Sequence, residues 1–133
     1  MKHEQNMVQA FHEAFSHPVA GTPAKMPRDR AENRAKWLRE EVDEFLSAET
    51  LDQQADAMID LLYFALGTMV ELGLDTAPLF RIVHECNMTK LWPDGKPRFG
   101  EDGKVKKPPT WRDPHEALRQ EIERQLAEAR AER

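Results

Sequence analysis

The chain has 133 residues, a formal net charge of −5 and 32% charged residues, so it suits one domain and excludes a general nucleic-acid-binding surface. No apolar run reaches membrane-spanning length, since the longest one, 61–70, is too short and also includes Gly67 and Thr68. The first residues resemble no signal peptide and Cys86 has no cysteine partner, so we expect a cytoplasmic protein without a membrane or nucleic-acid partner.

The apolar spacing is helical, and Leu and Ala outnumber Val and Ile, which predicts an all-α fold. The first helix should cover about 4–15, and the second about 29–48. A third helix should begin after Thr50, an N-cap with Gln53 in a capping-box position, and end at Gly73. So short a link makes the second and third helices antiparallel neighbours.

A fourth helix is predicted over about 76–89, followed by a loop rich in proline, glycine and lysine. One weak hairpin could form across Asp102 and Gly103, and a loop of this length is typically functional or disordered. A charged helix ends the chain, with an apolar stripe so thin that it indicates a frayed tail or an arm on a partner. We expect a helical domain at 1–113, including the loop, and a helical tail at 114–133.

The predicted inner faces of the first two helices follow from their apolar residues, which are Met7, Val8, Phe11, Ala14 and Phe15, then Ala35, Leu38, Val42, Phe45 and Leu46. The third helix is apolar on every side over 61–66 and therefore needs cover all round. The other helices of one small chain are too few to cover the third helix on every side. We therefore expect a homo-oligomer, with this helix near the interface.

Acidic residues dominate one side of each of the two central helices. At 100° per residue, one arc of the second helix carries Glu40, Glu41 and Glu44, and one face of the third carries Asp56 and Asp60. An aspartate among apolar residues is costly unless it is paired or bound to a cation. Antiparallel packing can bring these carboxylates opposite one another, where oxygen-only coordination suits Mg²⁺, with Mn²⁺ as the other option.

Each acidic pattern also has a purely structural interpretation. A Glu-rich helix surface is often just solvated, and Asp56 and Asp60 could be satisfied by an arginine or a cap. Their joint occurrence on adjacent helices favours the metal site. The chain lacks both the Glu-x-x-His of di-iron bundles and the His-Glu-x-x-His of zincins, so we interpret its five histidines as surface or loop residues.

Three segments resemble one known family, the all-α nucleoside triphosphate pyrophosphohydrolases, which include MazG, phosphoribosyl-ATP pyrophosphohydrolase and the dimeric dUTPases. "EEVDE" at 40–44 matches the family's E-E-x-x-E motif. "DAMIDLLYFALGTMVELGLD" at 56–75 is similar to its second acidic helix. "HECNMTKLWPDGKPRFGEDGKVKKPPTW" at 84–111 resembles the C-terminal region of a MazG-like branch. The resemblance spans about 7–114.

The resemblance implies a MazG-like antiparallel helical bundle that forms dimers or tetramers and cleaves between the α and β phosphates with Mg²⁺. By position, the family's metal ligands match Glu41, Glu44 and Asp60, and Glu40 matches the acid that activates water. The chain departs from the family's second motif, E-x-x-D, by having Ala57 three residues before the aspartate.

Asp56, on the same face as Asp60, can substitute for that missing acid as a fourth metal ligand. Cationic groups should complete a triphosphate site, and the candidates after the fourth helix are Lys90, Lys96 and Lys104. Asn87 could donate to a phosphate or read the base.

Trp37 and Tyr63 could line the nucleoside pocket, although aromatic residues at helical spacing also build cores. The sequence thus predicts a house-cleaning hydrolase that converts nucleoside triphosphates, dUTP or another deoxynucleotide among them, to nucleoside monophosphate and pyrophosphate. Two alternatives stay open, hydrolysis of phosphoribosyl-ATP and a non-enzymatic metal-binding helical scaffold.

Overall fold

The structure, a computed structural model, describes residues 1–132 and is all-α, as predicted. Its helices are α1 (Lys2–Ala14), α2 (Arg28–Ser47), α3 (Leu51–Leu72), α4 (Thr76–Met88) and α5 (His115–Ala131). These bounds lie within about two residues of the predicted ones, which is the usual uncertainty of helix ends. Within the described part of the chain, no single helix is long and apolar enough to cross a membrane.

The two ends of α3 have the predicted caps. The Thr50 hydroxyl accepts a hydrogen bond from the Gln53 amide at 3.3 Å, while the Gln53 side chain accepts from the amide of Glu49 at 2.8 Å rather than from that of Thr50. Gly73 adopts a φ of 73°, the left-handed conformation that glycine tolerates best. Local sequence therefore determines where this helix begins and ends.

The chain forms two compact units, one made of Met1–Thr76 with the chain end from Gln125, the other of Ala77–Arg124. This division differs from the expected boundary between 113 and 114 because it falls inside α5. The Gln125 side chain is buried, accepts from the Asp75 amide at 2.8 Å and donates to the Asp75 carbonyl at 3.2 Å. The last part of α5 is therefore a packed element of the first unit, and the expected frayed tail or arm was wrong for this part.

In the first unit, α1 and α2 both pack against α3. Early residues of α2 meet late residues of α3, as when Arg34 Nε donates to the Thr68 hydroxyl at 3.1 Å. Later residues of α2 meet earlier ones of α3, with Glu41 close to Asp60. This order of contacts makes the two helices antiparallel, as predicted.

Polar side chains occupy much of the buried surface of the first unit. On α1 the buried residues are Gln5, Val8 and His12, and on α2 they are Arg34 and Glu41. Several residues of the predicted inner faces are instead exposed, namely Met7, Phe11, Phe15, Val42, Phe45 and Leu46. For these residues the prediction was wrong in the single chain, where the buried positions of the two helices belong instead to Gln5, Val8, His12, Arg34 and Glu41.

In the second unit the long loop is ordered by contacts of its own. A minimal hairpin pairs Phe99 with Val105, across the predicted turn at Asp102 and Gly103, where the glycine has a φ of 80°. The end of the loop returns to the end of α4, where the Arg112 amide donates to the Thr89 hydroxyl at 2.9 Å. The loop therefore has a defined path and forms one wall of a cavity described below.

Candidate active site

A carboxylate cluster forms where α2 faces α3 in the first unit. Glu41 and Glu44 are three residues apart and so lie on one side of α2, and the antiparallel α3 brings Asp60 against them. One carboxylate oxygen from each of these residues lies within 4.8 Å of the others. The structure thus brings together three of the five acids that the sequence singled out.

Glu41 lies in the most constrained environment of the three. Its side chain is buried, and its Oε2 atom has no hydrogen-bond partner among the described residues. Burial raises the pKa of Glu41 to about 7, and the neighbouring carboxylates of Glu44, Asp60 and Asp56 raise it as well. Burial also raises the pKa of Asp60, with Asp56 and Glu44 adding to the effect. The cluster therefore repels its own negative charge.

A divalent cation would relieve this repulsion. In residues 1–132, none of the ion pairs involves Glu41, Glu44 or Asp60, so no protein cation neutralises them. Their oxygens are close enough for one ion to contact all three side chains, and an oxygen-only donor set suits Mg²⁺ or Mn²⁺. The unpartnered Oε2 of Glu41 would gain a ligand bond in place of its missing hydrogen bond.

The other two predicted acids lie outside the three-residue cluster. Asp56 and Glu40 are both exposed, although the Asp56 carboxylate is close enough to raise the pKa of Glu41 and Asp60. Ala57, the position that departs from the family motif, is 2% exposed and packs in the core. The second acid available on α3 beside Asp60 is therefore the exposed Asp56.

The second unit contains a lysine-lined cavity of about 360 Å³. Three residues that the sequence proposed for substrate, Asn87, Lys90 and Lys104, line it together with Lys107. Lys96 is not among the lining residues, and its backbone amide donates to Asp94 at 3.0 Å in a turn. Sequence reasoning missed Lys107 because nothing in a lysine-rich loop distinguishes it from its neighbours.

The first unit contains a second cavity, of about 190 Å³, with aromatic walls. Trp37 and Tyr63, the two predicted nucleoside contacts, both line it, with Phe11 and Phe64. The Phe11 and Tyr63 rings meet edge to face with centroids 5.6 Å apart, and the Trp37 and Phe64 centroids are 5.9 Å apart. The aromatic residues thus form a half-open slot rather than a filled core.

Three polar residues complete this aromatic cavity, and sequence reasoning identified none of them: His12, His17 and Arg34. His12 is 3% exposed, so its expected surface or loop position was wrong. Its Nδ1 lies 2.9 Å from the carbonyl oxygen of Pro18. The Arg34 guanidinium lies over the ring of Trp37, 5.2 Å from its centroid. The sequence signal for Arg34 was a charged residue within an apolar helical pattern. Such a pattern does not tell whether the side chain is buried or which cavity it lines.

The all-α fold and the carboxylate cluster between antiparallel helices agree with the class of the all-α NTP pyrophosphohydrolases, which the sequence and structure matches show. Within that class, the chain belongs to the phosphoribosyl-ATP pyrophosphohydrolase family, whose sequence profile matches residues 8–87. The family relationship makes the protein a pyrophosphohydrolase that acts on nucleotides.

A solved structure agrees with this assignment. The chain is 34% identical to a candidate NTP pyrophosphohydrolase from Exiguobacterium sp. 255-15, with a TM-score of 0.53. The similarity covers 94% of this chain and 96% of the other. A search of curated proteins gave no match.

Proposed function

We propose that this protein hydrolyses nucleoside triphosphates, dUTP or another deoxynucleotide among them, to nucleoside monophosphate and pyrophosphate in a Mg²⁺-dependent reaction. Removing unwanted nucleotides from the pool would be its role. The observation that carries the proposal is the cluster of Glu41, Glu44 and Asp60, whose buried oxygen lacks a partner. Acids alone repel a triphosphate, so such a cluster serves a polyphosphate only with cations between them.

The acidic residues have distinct roles in this proposal. Glu41, Glu44 and Asp60 hold the cation, with Asp56 as a further ligand at the exposed side. Bound Mg²⁺ supplies charge neutralisation for the phosphates and lowers the pKa of water. Glu40 accepts the proton of the water that attacks the α-phosphorus. The bond from that phosphorus to the bridging oxygen breaks, and pyrophosphate leaves with the electron pair.

The predicted substrate-binding residues form two sets, one lining a cavity of each unit. Lysine side chains attract phosphate oxygens as point charges, which supports phosphate binding by Lys90 and Lys104, with Asn87 as a hydrogen-bond donor. Lys96 is the weakest member of the predicted set because it does not line the same cavity. Trp37 and Tyr63 would contact the nucleoside through the aromatic cavity.

We also propose that the protein works as a homodimer or homotetramer. Several apolar residues on α3 are exposed in the single chain, among them Leu51 at 81% and Ile59 at 61%. Leu46, at the end of α2, is 82% exposed. A protein–protein interface buries exposed apolar side chains of this kind, and a second copy of the chain would cover them.

Phosphoribosyl-ATP is the second candidate substrate, and the family profile that matches residues 8–87 favours it. The two candidates share the bond that breaks and the leaving group. They differ in the sugar and base that the protein must accommodate, so only a comparison of substrates separates them.

A substrate panel with Mg²⁺ tests the proposal, with released pyrophosphate measured separately from orthophosphate. We expect pyrophosphate from at least one deoxynucleoside triphosphate, loss of turnover in Glu41→Gln and Asp60→Asn, and a 10²- to 10⁴-fold lower kcat, roughly, in Glu40→Gln. Asp43→Asn, an exposed acid of the same helix outside the cluster, is the matched control and should keep the wild-type rate.

Two outcomes would redirect the proposal. Turnover of phosphoribosyl-ATP alone would favour the second candidate. No pyrophosphate from any nucleotide, together with a melting temperature that Mg²⁺ raises, would favour the metal-binding scaffold instead.

A further inference from the structure

The aromatic cavity lies about one helical turn from the carboxylate cluster. Trp37 precedes Glu41 by four residues on α2, and Tyr63 follows Asp60 by three residues on α3. Because the helices are antiparallel, both steps run in the same direction along the pair, over about 4.5 to 6 Å at the α-helical rise. A nucleotide whose phosphates lie at the cluster can therefore place its base in this cavity.

His17 has a fixed tautomer at the edge of this cavity. Arg30 Nη2 lies 3.2 Å from His17 Nδ1, and a guanidinium can only donate hydrogen bonds. The His17 Nδ1 atom must therefore accept, and the neutral ring carries its proton on Nε2. Burial lowers the pKa of His17, as do the nearby His12 and Arg30, so the ring stays neutral near pH 7.

The Nε2–H group of His17 is available to a ligand. His17 lines the cavity and Arg30 does not, so a ligand there would approach the His17 ring away from Arg30, on the side that carries Nε2–H. Within residues 1–132, no hydrogen bond of this atom is found, whereas Nδ1 is engaged. Arg34 also lines the cavity, but its Nε, Nη1 and Nη2 already donate to Thr68, Glu71 and the Phe64 carbonyl. The Nε2–H group of His17 is therefore the donor that a base in this cavity could use.

We propose that His17 determines base specificity, by donating from Nε2–H to a carbonyl oxygen of a base held between the aromatic walls. The ligand class is a nucleotide whose base carries O4 of uracil or thymine, or O6 of guanine, where cytosine and adenine carry an amino group, because that amino group would direct its own hydrogens at this donor. Aromatic walls add affinity to every base through its flat face, so the donor supplies the discrimination. This inference rests on the proposed hydrolysis of nucleoside triphosphates.

The test compares kcat/KM within two pairs that differ in keto against amino groups, dUTP with dCTP and dGTP with dATP. In at least one pair, the wild type should prefer the keto member about tenfold or more, a value typical of one hydrogen bond plus the cost of an unpaired donor. His17→Phe keeps an aromatic ring without the N–H group, and should bring that ratio close to one. His17→Gln restores a side-chain donor and should recover part of the preference.

His84→Phe is the matched control, since His84 is exposed on α4 and lines neither cavity. It should keep the wild-type ratio. Equal kcat/KM values within both pairs for the wild type, or a His17→Phe protein that retains the preference, would overturn the assignment of His17. Neither result would contradict the proposed hydrolase activity.

If the wild type hydrolyses no nucleotide, the proposed function is wrong, and a binding measurement then tests the base site by itself. Deoxyuridine and deoxycytidine are titrated into ¹⁵N-labelled protein, and the Trp37 indole and His17 imidazole signals are followed. Shifts of both signals that saturate at lower concentration with deoxyuridine support the base site. Absence of shifts, as expected if another chain fills the cavity, overturns it.

Discussion

Arg34 donates from Nη1 to the Glu71 carboxylate at 3.0 Å, in a part of the first unit where the Glu71 side chain is only 1% exposed. The same carboxylate accepts from Arg30 Nε at 2.7 Å and from Arg30 Nη2 at 2.9 Å. Burial acts to raise the pKa of Glu71, but Arg30 and Arg34 lower it below the ordinary value. One ionised acid thus joins α2 to α3 beside the aromatic cavity.

Glu71→Gln should lower the free energy of unfolding by about 3 to 5 kcal/mol, because it leaves a buried guanidinium without its counter-charge. Urea denaturation measures the change. Glu32→Gln is the control, since Glu32 pairs with Arg28 at 3.0 Å while both side chains are more than half exposed. Its loss should stay below about 1 kcal/mol. Equal losses in the two variants would show that the Glu71 network does not stabilise the fold.

Gly67→Ala should destabilise the protein although alanine is the better helix former by about 1 kcal/mol. A Cβ atom at Gly67 would lie 2.5 Å from Arg34 Nη2 and 2.7 Å from His12 Nε2. Arg34 cannot easily withdraw, because its Nη2 also donates to the Phe64 carbonyl at 2.6 Å. We expect a net loss of about 1 to 3 kcal/mol in urea denaturation, as for other overpacked cores.

Gly21→Ala is the comparison for this variant, because no heavy atom lies within 4 Å of the position of its added Cβ. It should change stability little. A Gly67→Ala protein more stable than the wild type would mean that Arg34 and His12 can move aside at low cost.

Local signals made the helices and the carboxylate cluster predictable. Thr50 and Gly73 fix the ends of α3 through contacts a few residues away, and helical spacing alone places Glu41 and Glu44 on one side of α2. The polar part of the core was not predictable in this way. Arg34 and Glu71 are 37 residues apart in sequence, and no local pattern shows that they neutralise each other.

The same limit explains the apolar stripes. Periodicity identifies which residues share a helix face, but it does not tell whether that face meets the same chain or another one. Phe15 and Leu46 belong to regular stripes and are exposed to 65% and 82% in the single chain. Histidine burial was missed for a related reason, since His12 depends on a hydrogen bond to Pro18 that the loop after α1 supplies.

The stability of the metal-free protein should fall between about pH 5 and pH 8 because of Glu41. Its pKa in the folded chain is about 7, against 4.5 for the ordinary value. A carboxyl group whose pKa is higher in the folded chain than in the unfolded chain contributes its full stabilisation at pH values below the unfolded-state pKa. This contribution is lost as the pH rises through the folded-state pKa. We therefore expect the free energy of unfolding, measured by urea denaturation with EDTA present, to fall more steeply with rising pH in the wild type than in Glu41→Gln. Parallel pH profiles would contradict the raised pKa.

Mg²⁺ should raise the stability of the wild type, because a ligand that binds only the folded state stabilises it by about 2.7 kcal/mol at one hundred times its Kd. Differential scanning fluorimetry with and without Mg²⁺ measures this as a higher Tm. Glu44→Gln and Asp60→Asn should lose most of the shift, since each removes a negative charge and one carboxylate oxygen from the cluster. Asp43→Asn should retain it. A shift that persists in both cluster variants would place the cation elsewhere.

Ile59→Lys should convert the proposed homo-oligomer to monomers. Ile59 is 61% exposed in the single chain and lies on the apolar α3, so in the oligomer a lysine there would place an unpaired charge in a buried interface. Sedimentation velocity should show a dimer or tetramer for the wild type and a single-chain mass for the variant. Phe99→Lys, at a similarly exposed apolar residue of the second unit's hairpin, should leave the wild-type mass unchanged if α3 forms the interface. A wild-type protein that sediments as a monomer at micromolar concentration would instead leave the apolar side of α3 without a partner copy.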